Sequence, residues 1–195
     1  MTDVNMDISA FKSNFDGGSR PNRFVITGQV GNLTNTPTPI DNIVVKAGQM
    51  PESQLGIITV PFRGRAVKIP GDRTYSEWTF SILDSFNEST NFRRGFEEWN
   101  TAFNQHKENT PDSVATNAAG GLDFSNTSLF TDWNVSQLSI EGNVVRTVSL
   151  HKCWPVQVGA IDLTYDSSDI LTEYTVTLAY DYITLDQATA HQGIK

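Results

Sequence analysis

The sequence is poor in the groups that carry enzyme chemistry. It has one cysteine, Cys153, and three histidines, His106, His151 and His191, in 195 residues. A lone cysteine excludes an intrachain disulfide framework. In a strand-like run beside Trp154 it reads as a buried, inert thiol. The histidines fall at a helix end, in a strand and in the C-terminal stretch, none with a neighbour at metal-ligand spacing. Only His151 lies in a core element, and no G-x-S-x-G signature accompanies it. The phosphate-cradling motifs G-x-x-x-x-G-K-[ST] and G-x-G-x-x-G are absent. No apolar run approaches the ~20 residues of a membrane helix. Residues 1–10 lack the basic and apolar regions of a signal peptide. No catalytic residue, metal ligand or cofactor site is expected.

Charge is also scarce. Charged residues make up 18% of the chain, with 14 Lys and Arg against 22 Asp and Glu, a net charge of −8 and a pI of about 4.7. This argues against binding nucleic acid by phosphate contact, which needs Lys and Arg. It is compatible with a channel through which nucleic acid slides. Ser, Thr and Asn fill much of the polar remainder and suit strands, turns and polar interfaces. Asp162, Asp166 and Asp169 form the one acidic cluster but lack the spacing and central glycine of a calcium loop, so they read as a solvated turn. Glu97 and Glu98 are adjacent on a helix and diverge by ~100°, so they are no acid/base pair. The sequons at Asn32, Asn87, Asn126 and Asn134 carry no weight in so Asn-rich a chain.

What is present is strand signal. Residues 22–30 alternate and are β-branched, 43–46 begin a second strand, and 47–54 break it. Residues 55–62 and 65–69 read as a hairpin about Arg63-Gly64. Residues 75–83 alternate, with Ser76, Trp78, Phe80 and Ile82 facing the core. Strands follow at 133–141, 143–154, 156–165 and 174–183, the last placing Tyr174, Val176, Leu178, Tyr180 and Tyr182 on one face. Phe92, Phe96, Trp99 and Phe103 recur at helical spacing. Ser85 and Glu88 have capping-box spacing, which predicts a helix over about 86–108. A long loop is expected at about 110–132, rich in Gly, Asn, Ser and Asp. The expected organisation is an N-terminal arm at 1–21, one β domain at 22–183 and a C-terminal tail at 184–195. The fold class is mainly β, a β-sandwich or partly closed barrel with one flanking α-helix.

Three stretches taken together carry a family likeness. The first is an arm with Arg20-Pro21-Asn22 and Phe24. The second is residues 67–83, VKIPGDRTYSEWTFSIL, with a Gly71-Asp72-Arg73-Thr74 turn before a Trp-bearing strand, followed by the helix ending NFRRGFEEWNTAF. The third is residues 150–183, with Trp154-Pro155, Val158-Gly159 and the closing Tyr-rich strand. In this order they resemble the tail tube proteins of contractile-tailed (myovirus-type) bacteriophages, over roughly residues 11–183. The loops at 31–41 and 110–132 look longer than in compact members.

The resemblance implies a structural protein of the virion tail, assembled in the host bacterial cytoplasm, that forms hexameric rings stacked around a channel. It implies partners: the chain itself, sheath protein outside, tape-measure protein inside, baseplate proteins, and double-stranded DNA only in transit and without sequence specificity. Like charge on the wall would keep phosphates from sticking. Candidate lumen strands are those whose second face is small and polar, at 22–30, 143–150 and 174–183. Contacts between subunits or rings are expected at Phe11, Phe15, Met50, Leu55, Ile57, Phe62 and Arg63. Two related readings stay open: a baseplate-proximal tube adaptor, and the tube of a related contractile injection system. A reading of another class is a carbohydrate-binding β-sandwich using Trp133, Tyr165 or the Tyr174–Tyr182 set as a sugar platform.

Overall fold

The computed structural model describes residues 8–9, 12, 15, 18–31, 38–40, 45–85, 91–166 and 170–187. The elements are β1 (Phe24–Val30), β2 (Thr38–Ile40), β3 (Val45–Gly48), β4 (Ser53–Phe62), β5 (Arg65–Tyr75), β6 (Trp78–Leu83), helix α1 (Phe92–Phe103), β7 (Thr131–Leu138), β8 (Val144–Val158), β9 (Glu173–Ala179) and β10 (Tyr182–Gln187). All strand pairings are antiparallel.

β8 organises the body. Its first part, up to His151, lies between β7 and β10, and its last part, from Trp154, pairs with β9. Lys152, at the changeover, has φ of 56°. A non-glycine residue in the left-handed region marks a sharp local turn of the chain. One strand thus serves two sheets, β2-β1-β7-β8-β10 and β8-β9-β6-β3. β9 and β10 make the same crossing through Tyr180-Asp181. This is why the expected strand at 174–183 is two strands. Tyr174, Val176 and Leu178 are buried, but Tyr180 is only partly covered and Tyr182 is exposed on the second sheet. β10 continues to Gln187, into the stretch expected as a tail.

The period-2 residues of β6, β7, β8 and β9 meet between the sheets. Trp78, Phe80, Ile82, Trp133, Val135, Val148, Leu150, Val176 and Leu178 are all buried. Aromatic rings fill the centre: Phe80 lies 4.6 Å from Trp78, 5.1 Å from Trp133 and 6.3 Å from Phe96 between ring centroids. Such contacts add ~0.5–1.5 kcal/mol per pair beyond area burial. The aromatic stripe of α1 closes the core. Phe92, Phe96, Trp99 and Ala102 are buried, while Arg93–Glu97 and Arg94–Glu98 pair along the solvent side. Trp99 donates its indole N–H to the Leu129 carbonyl at 2.8 Å. Only glycine fits at position 31, because a Cβ there would fall 2.3 Å from the Trp99 indole nitrogen.

Several boundaries differ from the sequence expectation. α1 is capped by the Asn91 side chain, which accepts from Arg94 N–H, so the helix starts six residues after Phe86 and ends at Phe103. The Ser85–Glu88 capping box does not start it; residues 86–90 lie outside the described residues. Gly71–Thr74 is part of β5 and not a turn, and 75–83 is interrupted at Ser76-Glu77. The expected strand at 156–165 contributes only through Val158, to the end of β8. The segment expected as a long loop at 110–132 is folded by local polar turns. Asp112, Asn117, Asp123 and Asn126 each accept backbone N–H groups, and Ala115 and Leu129 are buried against Ala102.

One buried group is unsatisfied. The Tyr174 hydroxyl has no hydrogen-bond partner among the described residues. Burial, then the nearby Asp84 carboxylate, pushes its pKa above the usual phenol value, so ionisation offers it no relief. Tyr174→Phe is therefore expected to raise stability by ~1 kcal/mol or more, since an unpaired buried hydroxyl costs ~1–3 kcal/mol. Phe96→Ala should lower it by ~3–5 kcal/mol. Urea unfolding of both variants checks the two signs.

Candidate assembly interface

β4 and β5 form a two-stranded sheet of their own. Among the described residues they pack substantially only on each other. Arg63 and Gly64 connect them, with φ of 47° and 79°. Positive φ at both residues is the type I′ geometry whose twist matches a hairpin. The root is tied down: Trp78 donates its indole N–H to the Gln49 carbonyl at 2.6 Å, and the Tyr75 and Tyr180 rings lie 5.7 Å apart. Beyond the root the ribbon runs free of the body.

Its register pairs Ile58 with Ile69, Val60 with Val67 and Phe62 with Arg65. Directly opposed residues share a face. One face is thus Ile58, Val60, Phe62, Val67 and Ile69, all exposed, with Phe62 at 61%. The other carries Ile57, Thr59, Pro61, Ala66, Lys68 and Pro70. Burying one such aliphatic side chain is worth ~1.5–3 kcal/mol. An isolated two-stranded hairpin is marginal in water. A ribbon of ten- and eleven-residue strands that leaves an aliphatic face open is built to be covered.

The residues expected to make contacts fall in two places. Met50, Leu55, Ile57, Phe62 and Arg63 lie on or beside this ribbon and are exposed. Arg63 sits over the Phe62 ring, 5.5 Å from its centroid. Phe15 is exposed in the arm, and Phe11 lies outside the described residues. Leu55 and Ile57 are not on the aliphatic face; Ile58, Val60, Val67 and Ile69 are. Counting outward from the two-residue turn would have found them, because it pairs 62 with 65, 60 with 67 and 58 with 69.

The body presents two hydroxyl-rich outer faces. On one, Thr27 opposes Asn134, Asn134 opposes Ser149, and Ser149 opposes Thr184. On the other, the Thr79 and Thr177 hydroxyls lie 3.0 Å apart beside Ser81 and Thr175. Neither row contains Lys or Arg. His151 lies beside the first, its Nδ1 3.0 Å from Asp132 Oδ2 and its Nε2 2.9 Å from Thr184 Oγ1. It has an Asp and a hydroxyl as partners on an open strand surface.

The remaining candidates do not gather into a site. Cys153 is buried, and burial raises its thiol pKa, which keeps it protonated and inert. Asp162 and Asp166 are exposed, Asp169 lies outside the described residues, and no metal-holding cluster occurs among those described. Among them no helix is long and apolar enough to cross a membrane. Of the residues considered for a sugar platform, Trp133 and Tyr174 are buried in the core, while Tyr165 and Tyr182 are exposed.

The profile of the family described as phage tail tube protein matches residues 19–185. The chain belongs to this family. It is 27% identical over 139 residues to tail tube protein gp19 of Enterobacteria phage T4, covering 70% of this chain and 77% of that one. It is 28% identical, with the same coverage, to tail tube protein gp19 of Enterobacteria phage T6. Solved structures share the fold at low identity. A chain of the anti-feeding prophage baseplate matches with a TM-score of 0.61 at 13% identity, covering 90% of this chain and 99% of that chain. A chain of the PVC extracellular contractile injection system sheath-tube complex matches with a TM-score of 0.51 at 14% identity, covering 93% and 98%. As a family member the chain is a structural subunit of a phage tail tube.

The tail tube subunit exposes a basic, turn-tipped ribbon, and this gives a test of its free state. Trypsin is expected to cut the dispersed subunit first at Arg63 or Arg65, leaving the body intact, and to cut there far more slowly once subunits assemble. Mass spectrometry of the early fragments reads this directly.

Proposed function

We propose that the subunit forms hexameric rings that stack into a tube, with the β4–β5 ribbon covered by neighbouring copies and the N-terminal arm adding contacts. The carrying observation is the ribbon: among the described residues its aliphatic face has no cover. A heterologous contact between copies gives a ring when its rotation closes and a filament when it repeats along an axis. Family membership supports the repetition, and pairing of sheet edges between copies disposes of groups that would otherwise recruit other chains.

The channel wall is drawn from the hydroxyl-rich outer faces. Ser, Thr and Asn wet the wall; the hydroxyl rows hold no Lys or Arg to bind phosphates, and the neighbouring Lys46 is paired with Glu173. A net charge of −8 adds repulsion along the passage. In this reading double-stranded DNA passes without specific contact, sheath protein lies outside, tape-measure protein occupies the channel before ejection, and baseplate proteins meet the tube's end. The assembly takes place in the host cytoplasm, and no catalysis is required. The fold likeness includes a baseplate chain, so a baseplate-proximal adaptor is the second reading. Copy number per particle separates the two: many rings for the tube subunit, one for the adaptor.

The test is electron microscopy and native mass measurement of the concentrated chain. Rings of six and tubes are expected; a strict monomer that builds neither sinks the proposal. Ile58→Asp with Val60→Asp should abolish tubes while the thermal midpoint of the dispersed subunit stays within a few degrees, because those side chains are already exposed in the single chain.

A further inference from the structure

A second apolar surface lies at the other end of the same sheet. β8 and β9 are joined by residues 159–172, whose base is fixed. Gly159 N–H donates to Thr175 O at 2.7 Å, Arg93 Nη1 to Gly159 O at 2.9 Å, and Asp84 N–H to Thr172 O at 2.8 Å. Ile161 packs on the core. Beyond that base the loop turns large apolar side chains outward. Tyr165 is fully exposed, Leu163 is 88% exposed, and Ile170 and Leu171 are 75% and 73% exposed.

The position of this loop relative to the ribbon follows from β6. The ribbon leaves the sheet at Tyr75, just before β6 begins at Trp78. The loop meets the sheet where β6 ends, at Leu83 opposite Glu173. A six-residue strand spans ~20 Å at ~3.3 Å per residue, so the two surfaces leave opposite ends of one strand. Within one chain their roots are thus about a strand's length apart. Between copies related by translation along that strand, they face each other.

Their charges are complementary. The ribbon carries Arg63, Arg65, Lys68 and Arg73 against Asp72 alone, a local basic excess in a chain of net charge −8. The sequence between Gly159 and Thr172 carries Asp162, Asp166 and Asp169 and no Lys or Arg. Apolar surface with opposite charge at its margin is the pattern that fixes partner and register together.

We infer that the aliphatic face of the β4–β5 ribbon docks on the apolar surface of residues 161–166 and 170–171 of a copy in the adjoining ring, with Arg63 and Arg65 beside Asp162 and Asp166. The contact is heterologous, so it repeats without end and sets the stacking direction of the tube. The inference rests on the proposed tube and names which surface receives the ribbon. Long-range attraction between the two ends makes stacking faster and tighter at low salt than at high salt.

The test uses the full chain in four forms: wild type, Arg63→Glu with Arg65→Glu, Asp162→Lys with Asp166→Lys, and all four changes together. Each pair alone is expected to cut pelletable tube at least about tenfold, because like charges then face each other. The combined variant is expected to recover most of it. Circular dichroism of the dispersed subunits checks that the fold is kept. Independently, Phe62→Cys with Leu163→Cys under mild oxidation should give a ladder of disulfide-linked multimers from assembled tubes, and Phe62→Cys alone should not; the buried Cys153 does not compete. Wild-type tubes with unaffected charge variants, no recovery in the well-folded combined variant, or tubes without the ladder would each overturn the docking while leaving the tube reading intact. Failure of the wild type to form any ring or tube overturns the tube reading itself, and the docking with it.

Discussion

The molecule depends on one packing constraint: two sheets and a helix must close around a group of large rings. Trp133 of β7 packs against Trp78 and Phe80 of β6 and against Phe96 of α1. Rings of this size leave little freedom in how strands are spaced, because interiors are close-packed and cannot absorb a misplaced indole. Glycine at position 31 follows from this, since the Trp99 indole occupies the space a side chain would need. So does the helix, which supplies Phe96 and Trp99 to a core the strands alone would leave open on one side. With these aromatics committed to the core, no described element of the body packs substantially on the β4–β5 ribbon.

That division of labour accounts for the low charge of the protein. A monomer keeps its surface soluble with Lys, Glu, Arg and Asp, and here such residues amount to 18% of the chain. The charges that exist are local. Arg93 and Arg94 pair with Glu97 and Glu98 on the outer side of α1, and the basic residues of the ribbon sit at its tip and edges. The outer faces of the sheets are left to Thr, Ser and Asn, which can face water or a like neighbour without the desolvation cost of a charge.

The periodic parts of this structure were legible in the sequence. The alternation of Trp78, Phe80 and Ile82, the helical spacing of Phe92, Phe96, Trp99 and Phe103, and the Arg63-Gly64 turn each specify a local geometry that packing then keeps. What was not legible has a common cause, the passage of strands from one sheet to the other. Residues 144–158 and 173–187 alternate almost without a break, so nothing local shows that Lys152 and Tyr180-Asp181 are corners. The start of α1 was misplaced for a different reason. Ser85 and Asn91 are both competent caps, and only the seating of Phe92 in the core selects Asn91. The apolar character of the ribbon was visible, but its register, and so its aliphatic face, is settled only by the turn.

Polymerisation of such a subunit must be directional, and the placement of its two uncovered surfaces supplies the direction. A ribbon that met a copy of itself would give a closed dimer, because a self-complementary contact uses up both partners. A ribbon that meets a different surface at the far end of the same sheet leaves one ribbon and one loop free after every addition. Arg63 and Arg65 disfavour the first outcome, since two ribbons brought together would place like charges in contact, while Asp162 and Asp166 favour the second. The same four residues that strengthen stacking therefore also exclude the dead end, and the chain can keep a long apolar hairpin in solution without that hairpin closing on its twin.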